Sequence, residues 1–146
     1  DMQDKTDKAQ PVRIGITVGD INGVGPETVL KVLSDSRMFS DATPIIYGSN
    51  SLMKFMKSHL NLSQFEYNGI KTPEEARPRK VNNLNIWEEN IDPEFGQATK
   101  KAGELAWKSL EAAVSDLASN KIDVLVTSPI NKDTIQSDDF DFPGHT

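Results

Sequence analysis

The sequence predicts an α/β protein in which helices cover both faces of a parallel sheet, giving three α/β/α layers. Strand-like and helix-like segments alternate along the chain, which is typical of a parallel sheet with crossover helices. Residues 122–127 (IDVLVT) are almost all apolar, as expected for a strand that is covered on both faces. A glycine-rich turn also joins the first predicted strand to the first predicted helix.

The first half of the chain contains two predicted strand–helix units. Residues 12–18 (VRIGITV) alternate apolar with small or polar residues and predict a strand. The turn at 19–25 follows, and Pro26 then opens a helix, because proline fits a first helical position whose N–H needs no partner. Residues 42–48 (ATPIIYG) predict the second strand, after which Ser49 or Asn50 caps the next helix.

The second half is predicted to add short strands and one long helix. We expect a short strand at 64–67, a polar surface loop over 71–83 and a strand at 84–87. Apolar residues recur every three or four positions from about 96 to 120, which predicts an amphipathic helix. The apolar strand at 122–127 and a further strand-to-helix turn at 128–132 complete the series.

Composition bounds the class of protein. The chain has 146 residues, of which 36% are hydrophobic and 26% charged, as in one globular domain. The net charge of -6 disfavours nucleic acid and anionic membranes as partners, and we expect neither. No apolar run approaches the ~20 residues of a membrane helix, and there is no cysteine, which excludes disulfides and thiolate chemistry. We expect a cytoplasmic location.

The two ends of the chain suggest a piece of a larger protein. Residues 1–11 are polar and lack the apolar core of a signal peptide, so we expect a disordered leader there. Residues 12–146 are then the N-terminal α/β portion of the parent. The chain begins with Asp1 and stops at FPGHT, without a terminal helix or tail, and we interpret this as a cut after the GHT motif.

Ligand sites of open parallel sheets lie at the carboxyl ends of strands, which points to the loop at 19–25, the turn at 127–132 and the tail at 143–146. The loop has neither the lysine of a Walker loop nor the glycine spacing of the dinucleotide fingerprint. It either binds an anion through backbone N–H groups or is only a tight turn. Likewise, Asp20 either binds a ligand group or caps the turn.

The other two places carry a lysine and a histidine. Lys132 either holds a phosphate or carboxylate as a point charge or is a solvated helix lysine. His145 and Thr146 are a suitable pair for hydrogen-bonding a phosphate or hydroxy-acid substrate, or else an ordinary surface pair. His59 is expected at a helix C-terminus, where a cation is favoured. Two distant histidines predict no metal site.

Three segments together resemble the signatures of the 4-hydroxythreonine-4-phosphate dehydrogenase family. Residues 16–27 (ITVGDINGVGPE) are similar to its opening pattern, T-x-G-D-P-A-G-I-G-P-E, and depart from it at Ile21 and Asn22, where Pro-Ala is common. Residues 124–132 (VLVTSPINK) resemble the pattern V-T-x-P-I-N-K, and residues 142–146 (FPGHT) look like the start of F-x-G-H-T-E. Order and spacing agree across essentially the whole chain.

The resemblance implies an isocitrate/isopropylmalate dehydrogenase-like fold that is incomplete in this chain, and a homodimer with its site in a cleft between two domains. It implies oxidation of 4-phosphooxy-L-threonine by NAD or NADP to a 3-oxo acid that decarboxylates, in vitamin B6 (pyridoxal phosphate) synthesis. A divalent metal (Zn, Mg or Co) would be held by three histidines outside this chain.

For the residues present, the resemblance implies that His145 and Thr146 bind the substrate, while Asp20 and Lys132 are candidates for the vicinity of its phosphate. No catalytic residue and no metal ligand is assigned. Because so few contacts of the site are present, we expect the 146-residue piece alone to be inactive.

Two other interpretations stay open. A dehydrogenase of the same family could act on another phosphorylated hydroxy acid, such as 4-phosphothreonate or 4-phosphoerythronate. In a different class, the chain could be a non-catalytic α/β domain that associates with itself through apolar surface. An aggregate or swapped dimer in gel filtration would indicate an incomplete domain, whereas a clean monomer would favour an autonomous one.

Overall fold

A computed structural model describes residues 10–35, 40–88 and 92–128. In chain order, the strands are β1 (Val12–Thr17), β2 (Ala42–Gly48), β3 (Asn68–Ile70), β4 (Asn82–Asn85) and β5 (Val124–Val126). The α-helices are α1 (Gly25–Leu33), α2 (Asn50–His59) and α3 (Lys100–Ala118), and a short 3-10 helix covers Pro73–Glu75. The predicted leader at 1–11 lies almost wholly outside the described residues.

The five strands form one parallel sheet in the order β3-β4-β2-β1-β5. In the register of the sheet, Gly15 lies between Ile45 of β2 and Leu125 of β5. β1 is therefore flanked on both sides, and the loop that follows it emerges at the carboxyl edge of the sheet between the ends of β2 and β5. Such an edge is where α/β sheets place their ligand sites.

Helices pack on both faces of the sheet, which confirms the predicted three-layer α/β/α architecture. On one face, Ile46 of β2 packs in a cluster with apolar residues of α1 and α2, among them Leu30 and Met53. On the other face, Tyr47 belongs to a second cluster with Ala113 of α3. Successive residues of a strand point to opposite faces, so one strand serves both clusters.

Helix α3 is fixed to the sheet by a hydrogen bond as well as by packing. The hydroxyl group of Tyr47, a fully buried residue, donates to the Asp116 carboxylate at 2.7 Å. Burial of the phenol, together with the bond to Asp116, raises the pKa of Tyr47 well above its ordinary value of 10. None of the helices in the described ranges is long and apolar enough to cross a membrane.

The helix starts agree with their local sequence. Pro26 stands in the first turn of α1, and the Ser49 hydroxyl accepts a hydrogen bond from the Leu52 N–H as the cap of α2. Helix α3 begins at Lys100 rather than 96, because the Thr99 hydroxyl caps it by accepting from the Ala102 N–H. The preceding Gly96 has φ of +80°, which a helix does not allow.

The predicted position of β3 was wrong, and the predicted bounds of β4 were two residues too late. The strand expected at 64–67 lies at Asn68–Ile70, because the Phe65 N–H closes a turn on the Leu62 carbonyl oxygen. The expected loop over 71–83 contains the 3-10 helix, and β4 begins inside it at Asn82 rather than at 84.

A buried hydrogen-bond network centred on Asn82 explains why such a polar segment enters the sheet. The fully buried Asn82 amide donates to the carbonyl oxygens of Pro44, Arg77 and Lys80, at 3.4, 3.2 and 2.8 Å. Its oxygen accepts from the Arg77 N–H at 2.9 Å. We call this set of bonds the Asn82 network. A hydrogen-bonded amide can be buried at little net cost, which hydrophobic periodicity does not reveal.

The last strand differs from its prediction in burial. Residues 122–127 were expected to be covered on both faces, yet Val124 and Val126 are 45% and 51% exposed. The regular strand covers only Val124–Val126. β5 pairs with β1 on one side, and within the described residues it has no strand on the other side.

Candidate functional site

The loop at 19–25, called here the glycine loop, begins where β1 reaches the carboxyl edge of the sheet. Gly19 adopts φ of +71°, a conformation that glycine reaches without strain. The chain then turns, with the Gly23 N–H donating to the Asp20 carbonyl oxygen at 2.9 Å. The Asp20 carboxylate accepts from the Asn22 N–H at 2.8 Å, so Asp20 caps the turn, one of the two roles expected for it.

The glycine loop has a buried base and an exposed tip. Ile21 is 1% exposed and belongs to the same apolar cluster as Val18. Beyond it, Gly23 is exposed and Val24 is 75% exposed. A loop that is packed at its base and open at its tip suits a ligand contact at the edge of a sheet.

The end of the loop is packed against the strand from which it came. A Cβ atom on Gly25 would overlap the Val18 carbonyl oxygen, so only glycine fits there. Helix α1 starts at this point with no side-chain hydrogen bond at its N-cap, Val24. Close packing against the end of β1 therefore requires glycine at this position.

One ion pair lies on α1 beyond the loop. Lys31 donates to Glu27 at 2.6 Å across one helical turn. The hydrogen bond and the charge of Lys31 hold the pKa of the Glu27 carboxyl below its usual value. Glu27 is thus engaged within its own helix, as is typical of an exposed helical pair.

The structure brings the first and second sequence motifs together. The Ser128 N–H donates to the Thr17 hydroxyl at 3.2 Å, linking the end of β5 to the end of β1. A Cβ atom on Gly25 would also lie 3.3 Å from the Ser128 Cβ. The chain that leads to Lys132 therefore leaves the sheet directly beside the glycine loop.

Asn22 is a residue whose role the sequence did not indicate. Its side-chain oxygen accepts from the Glu94 N–H at 2.6 Å, and its amide nitrogen donates to the Gln97 carbonyl at 2.9 Å and to the Thr99 hydroxyl at 3.3 Å. Its own carbonyl oxygen accepts from the Gly96 N–H at 2.9 Å. We call these four bonds the Asn22 network. The available signal was the departure from the family signature at Ile21 and Asn22.

The segment at 94–99 is also held from its other side. The Phe95 ring stacks on His59 with centroids 4.7 Å apart, and it lies 6.0 Å from the ring of Phe55. His59 is the last residue of α2, so it lies at a helix C-terminus as predicted. The segment thus bridges α2 and the glycine loop before Thr99 caps α3.

Three predicted site residues, Lys132, His145 and Thr146, lie outside the described residues. Asp20 is the one candidate whose surroundings are described, and it is 9% exposed. Within the described ranges, no three His, Cys, Asp or Glu side chains come close enough to hold a metal ion.

A parallel α/β sheet with motif-bearing loops gathered at its carboxyl edge is typical of enzymes that bind small molecules. Comparison with known families makes this class specific. The chain belongs to the family described as "Pyridoxal phosphate biosynthetic protein PdxA", whose pattern matches residues 40–146. That range includes the second and third motifs. The glycine loop lies before it, so its similarity to the signature is a separate observation.

Two curated relatives carry different substrate names. The chain is 43% identical over 135 residues to a 4-hydroxythreonine-4-phosphate dehydrogenase of Bacteroides thetaiotaomicron, covering 92% of this chain and 37% of the relative. It is 32% identical over 136 residues to a D-threonate 4-phosphate dehydrogenase of Cupriavidus necator, covering 91% of this chain and 40% of the relative. The chain thus spans about two fifths of the length of these relatives.

Solved structures agree with the family. A 4-hydroxythreonine-4-phosphate dehydrogenase from Burkholderia phymatum superposes with a TM-score of 0.80 at 28% identity, over 92% of this chain and 41% of that one. The enzyme of the same name from Klebsiella pneumoniae superposes with a TM-score of 0.74 at 25% identity, over 94% and 42%. The predicted isocitrate/isopropylmalate dehydrogenase-like fold class, partial in this chain, is confirmed.

Proposed function

We propose that the protein to which this chain belongs is a 4-hydroxythreonine-4-phosphate dehydrogenase. It would oxidise the C3 hydroxyl of 4-phosphooxy-L-threonine with NAD or NADP, and the resulting 3-oxo acid would lose CO2, in vitamin B6 synthesis. The higher identity to the Bacteroides relative with this name, 43% against 32% for the threonate enzyme, supports this substrate.

The observation that carries the proposal is the meeting of two motifs at one edge of the sheet. The Ser128–Thr17 hydrogen bond and the packing of Gly25 against Ser128 join loops that are more than 100 residues apart in sequence. Residues brought together from distant parts of a chain at the carboxyl ends of strands are what a shared ligand site requires.

The chain's own contribution to the reaction would be to bind and orient the substrate. His145 and Thr146 would hydrogen-bond it, and Asp20 and Lys132 would lie near its phosphate, with Lys132 supplying a positive charge. The glycine loop would shape one wall of the site. The divalent metal (Zn, Mg or Co) would polarise the developing ketone when bound. Its ligands would be three histidines outside this chain, as the resemblance implies.

This assignment of roles has a consequence for the isolated chain. Because residues 1–146 would supply few of the contacts to the substrate and none of the metal ligands, this piece alone would not oxidise the substrate. The complete protein would act as a homodimer in the cytoplasm.

A second candidate, D-threonate 4-phosphate dehydrogenase, is favoured by the 32% identity to the Cupriavidus enzyme over 91% of the chain. Its substrate class, a phosphorylated hydroxy acid, is the same. The two candidates differ in the group beside the carboxylate, which is an amine in one substrate and a hydroxyl in the other.

The test is reduction of NAD and of NADP by the complete gene product, with Mg²⁺, Zn²⁺ or Co²⁺ supplied in turn. 4-Phosphooxy-L-threonine, 4-phospho-D-threonate and 4-phospho-D-erythronate are compared at equal concentrations. Clear preference for the first supports the proposal, and preference for either of the others moves the protein to the second class. Absence of turnover with all three contradicts the enzymatic assignment.

A pair of variants then tests the site residue. His145→Ala should raise KM strongly, because it removes a hydrogen-bonding partner of the substrate. His145→Asn retains an N–H donor and should recover part of the loss. Equal KM values for the wild type and both variants would exclude His145 from the substrate site.

A further inference from the structure

The Asn22 network joins two segments that are far apart in sequence. Its three side-chain bonds link the glycine loop to residues that are 72, 75 and 77 positions later in the chain. Asn22 is itself 5% exposed, so these bonds take the place of contacts with water at its own side chain. Both polar atoms of the side chain, the amide oxygen and the amide nitrogen, therefore bond to the segment at 94–99.

The same residue also sets the turn of the loop. The Asn22 N–H donates to the Asp20 carboxylate, while the Asn22 carbonyl oxygen accepts from the Gly96 N–H. The exposed tip, Gly23 and Val24, follows immediately. Because the backbone on one side of the tip is fixed by Asn22, and on the other by the close packing of Gly25, the tip has little freedom to move.

The segment at 94–99, which receives these bonds, is itself attached to helices α2 and α3. Phe95 stacks on His59 of α2, and Thr99 caps the 19-residue helix α3. The Thr99 hydroxyl accepts hydrogen bonds both from Asn22 and from the Ala102 N–H. Asn22 therefore ties the loop to two helices through one short stretch of backbone.

From this geometry we propose that Asn22 is a positioning residue, which holds the glycine loop in its binding conformation by tying it to residues 94–99. The inference rests on the proposed function, because it takes the loop to border the substrate site. Asn22 need not touch the substrate. Its effect is that the loop is already ordered before the substrate arrives, so that binding does not have to order it.

The principal test compares Asn22→Ala with the wild type in the complete protein. Alanine is smaller, and it is the residue that the family signature commonly has at this position, so the variant is expected to fold. KM for the phosphorylated substrate should rise roughly 10-fold while kcat stays within about twofold, because the loss falls on binding rather than on chemistry. An unchanged KM would overturn the positioning role.

The matched control is Asn82→Ala, which removes a buried asparagine with a similar number of hydrogen bonds elsewhere in the sheet. It should leave KM unchanged after correction for any unfolded protein. If Asn82→Ala raises KM as much as Asn22→Ala does, the effect is one of general stability and the proposal fails.

Amide hydrogen exchange supplies a readout that needs no turnover. In Asn22→Ala the Glu94 amide should exchange roughly 5- to 10-fold faster, while the Arg77 amide, bonded to Asn82, is unchanged. Asn82→Ala should give the reverse pattern. A Glu94 amide that is already unprotected in the wild type would disprove the network itself.

The two proposals fail in different ways. Absence of turnover by the wild type would contradict the proposed function, and with it the positioning role, even if the Glu94 amide is protected. Normal turnover by the wild type with an unchanged KM in Asn22→Ala would contradict the positioning role alone.

Discussion

Two buried asparagines, Asn22 and Asn82, use the same chemistry in different parts of the sheet. Each side chain forms three or four hydrogen bonds to backbone groups or to a helix cap. The Asn82 network closes a local loop, since two of its partners, Arg77 and Lys80, lie within five positions. The Asn22 network joins segments more than 70 positions apart, at the edge of the sheet where ligands bind.

This difference separates a structural role from a positioning role. Asn82 allows a polar strand to enter the sheet, and loop residues with no proposed contact to a ligand surround it. Asn22 stands between a candidate binding loop and the start of α3. We therefore expect substitution of Asn82 to lower the free energy of unfolding and substitution of Asn22 to weaken substrate binding.

The largest effect is expected at the end of the glycine loop. Gly25→Ala would place a Cβ atom on the Val18 carbonyl oxygen, so the backbone has to shift. We expect a loss of about 3 kcal/mol in the free energy of unfolding and a fall in kcat/KM of more than roughly 100-fold. Urea unfolding and steady-state kinetics of the complete protein measure the two.

A matched glycine outside the loop provides the control. In Gly69→Ala the new Cβ would lie 3.3 Å from the Asn50 side-chain oxygen, which can move aside. Its free energy of unfolding should stay within about 1 kcal/mol of the wild type. Equal losses of unfolding free energy in the two variants would show that Gly25 is no more tightly packed than Gly69.

The next effect is expected at the Asn82 network. Asn82→Ala removes four hydrogen bonds from a residue that is fully buried, and it should cost about 2–3 kcal/mol in urea unfolding. Asn22→Ala should cost less, because Glu94 and Gln97 are exposed and water can replace part of the lost bonding. If Asn22→Ala lowered the free energy of unfolding more than Asn82→Ala does, Asn22 would have the larger structural role, contrary to this expectation.

A smaller loss of stability is expected at the C-terminal end of α3, the end opposite to the one that the Asn22 network contacts. Tyr47→Phe removes the bond to Asp116 and should cost about 1–2 kcal/mol at neutral pH. Because the folded-state pKa of Tyr47 is raised, its contribution is fully present below the ordinary pKa of 10 and is lost as the pH rises towards the folded value. The difference between wild type and variant in urea unfolding should therefore shrink above about pH 10. A constant difference between pH 8 and pH 11 would contradict this linkage.

The smallest effects are expected at two helix caps. Thr99→Ala and Ser49→Ala each remove one N-cap bond, and each should cost about 1 kcal/mol in urea unfolding. Thr99 also accepts from Asn22, so Thr99→Ala alone should raise KM, by roughly two- to threefold. A similar rise in Ser49→Ala would indicate that helix stability in general, rather than the Asn22 network, determines KM.

The unit formed by β1, the glycine loop and α1 could be predicted because its determinants are local. Gly19 allows the positive φ of the turn, and Pro26 fits the first turn of α1. Each of them determines the conformation of only a few neighbouring residues. The same holds for Ser49, whose cap closes three positions later. The rule that open parallel sheets bind ligands at the carboxyl ends of their strands likewise placed the candidate site at this edge.

The remaining features depend on partners that are distant in sequence or on buried polar groups. The start of β4 was missed because Asn82 is buried by hydrogen bonding, whereas the prediction relied on apolar residues. Asn22 was singled out only as a departure from the signature, since its partners lie beyond position 93. No local pattern connects these residues, and only the folded sheet brings them together.

The long sequence separation within the Asn22 network also has a consequence for the order of folding. A contact across more than 70 positions closes a large loop of chain, which is entropically unfavourable until the sheet and helices between its ends have formed. The bonds of Asn22 are therefore expected to be absent from the folding transition state. They should then slow unfolding without accelerating folding, so that Asn22 governs how long the native loop persists once it has been made.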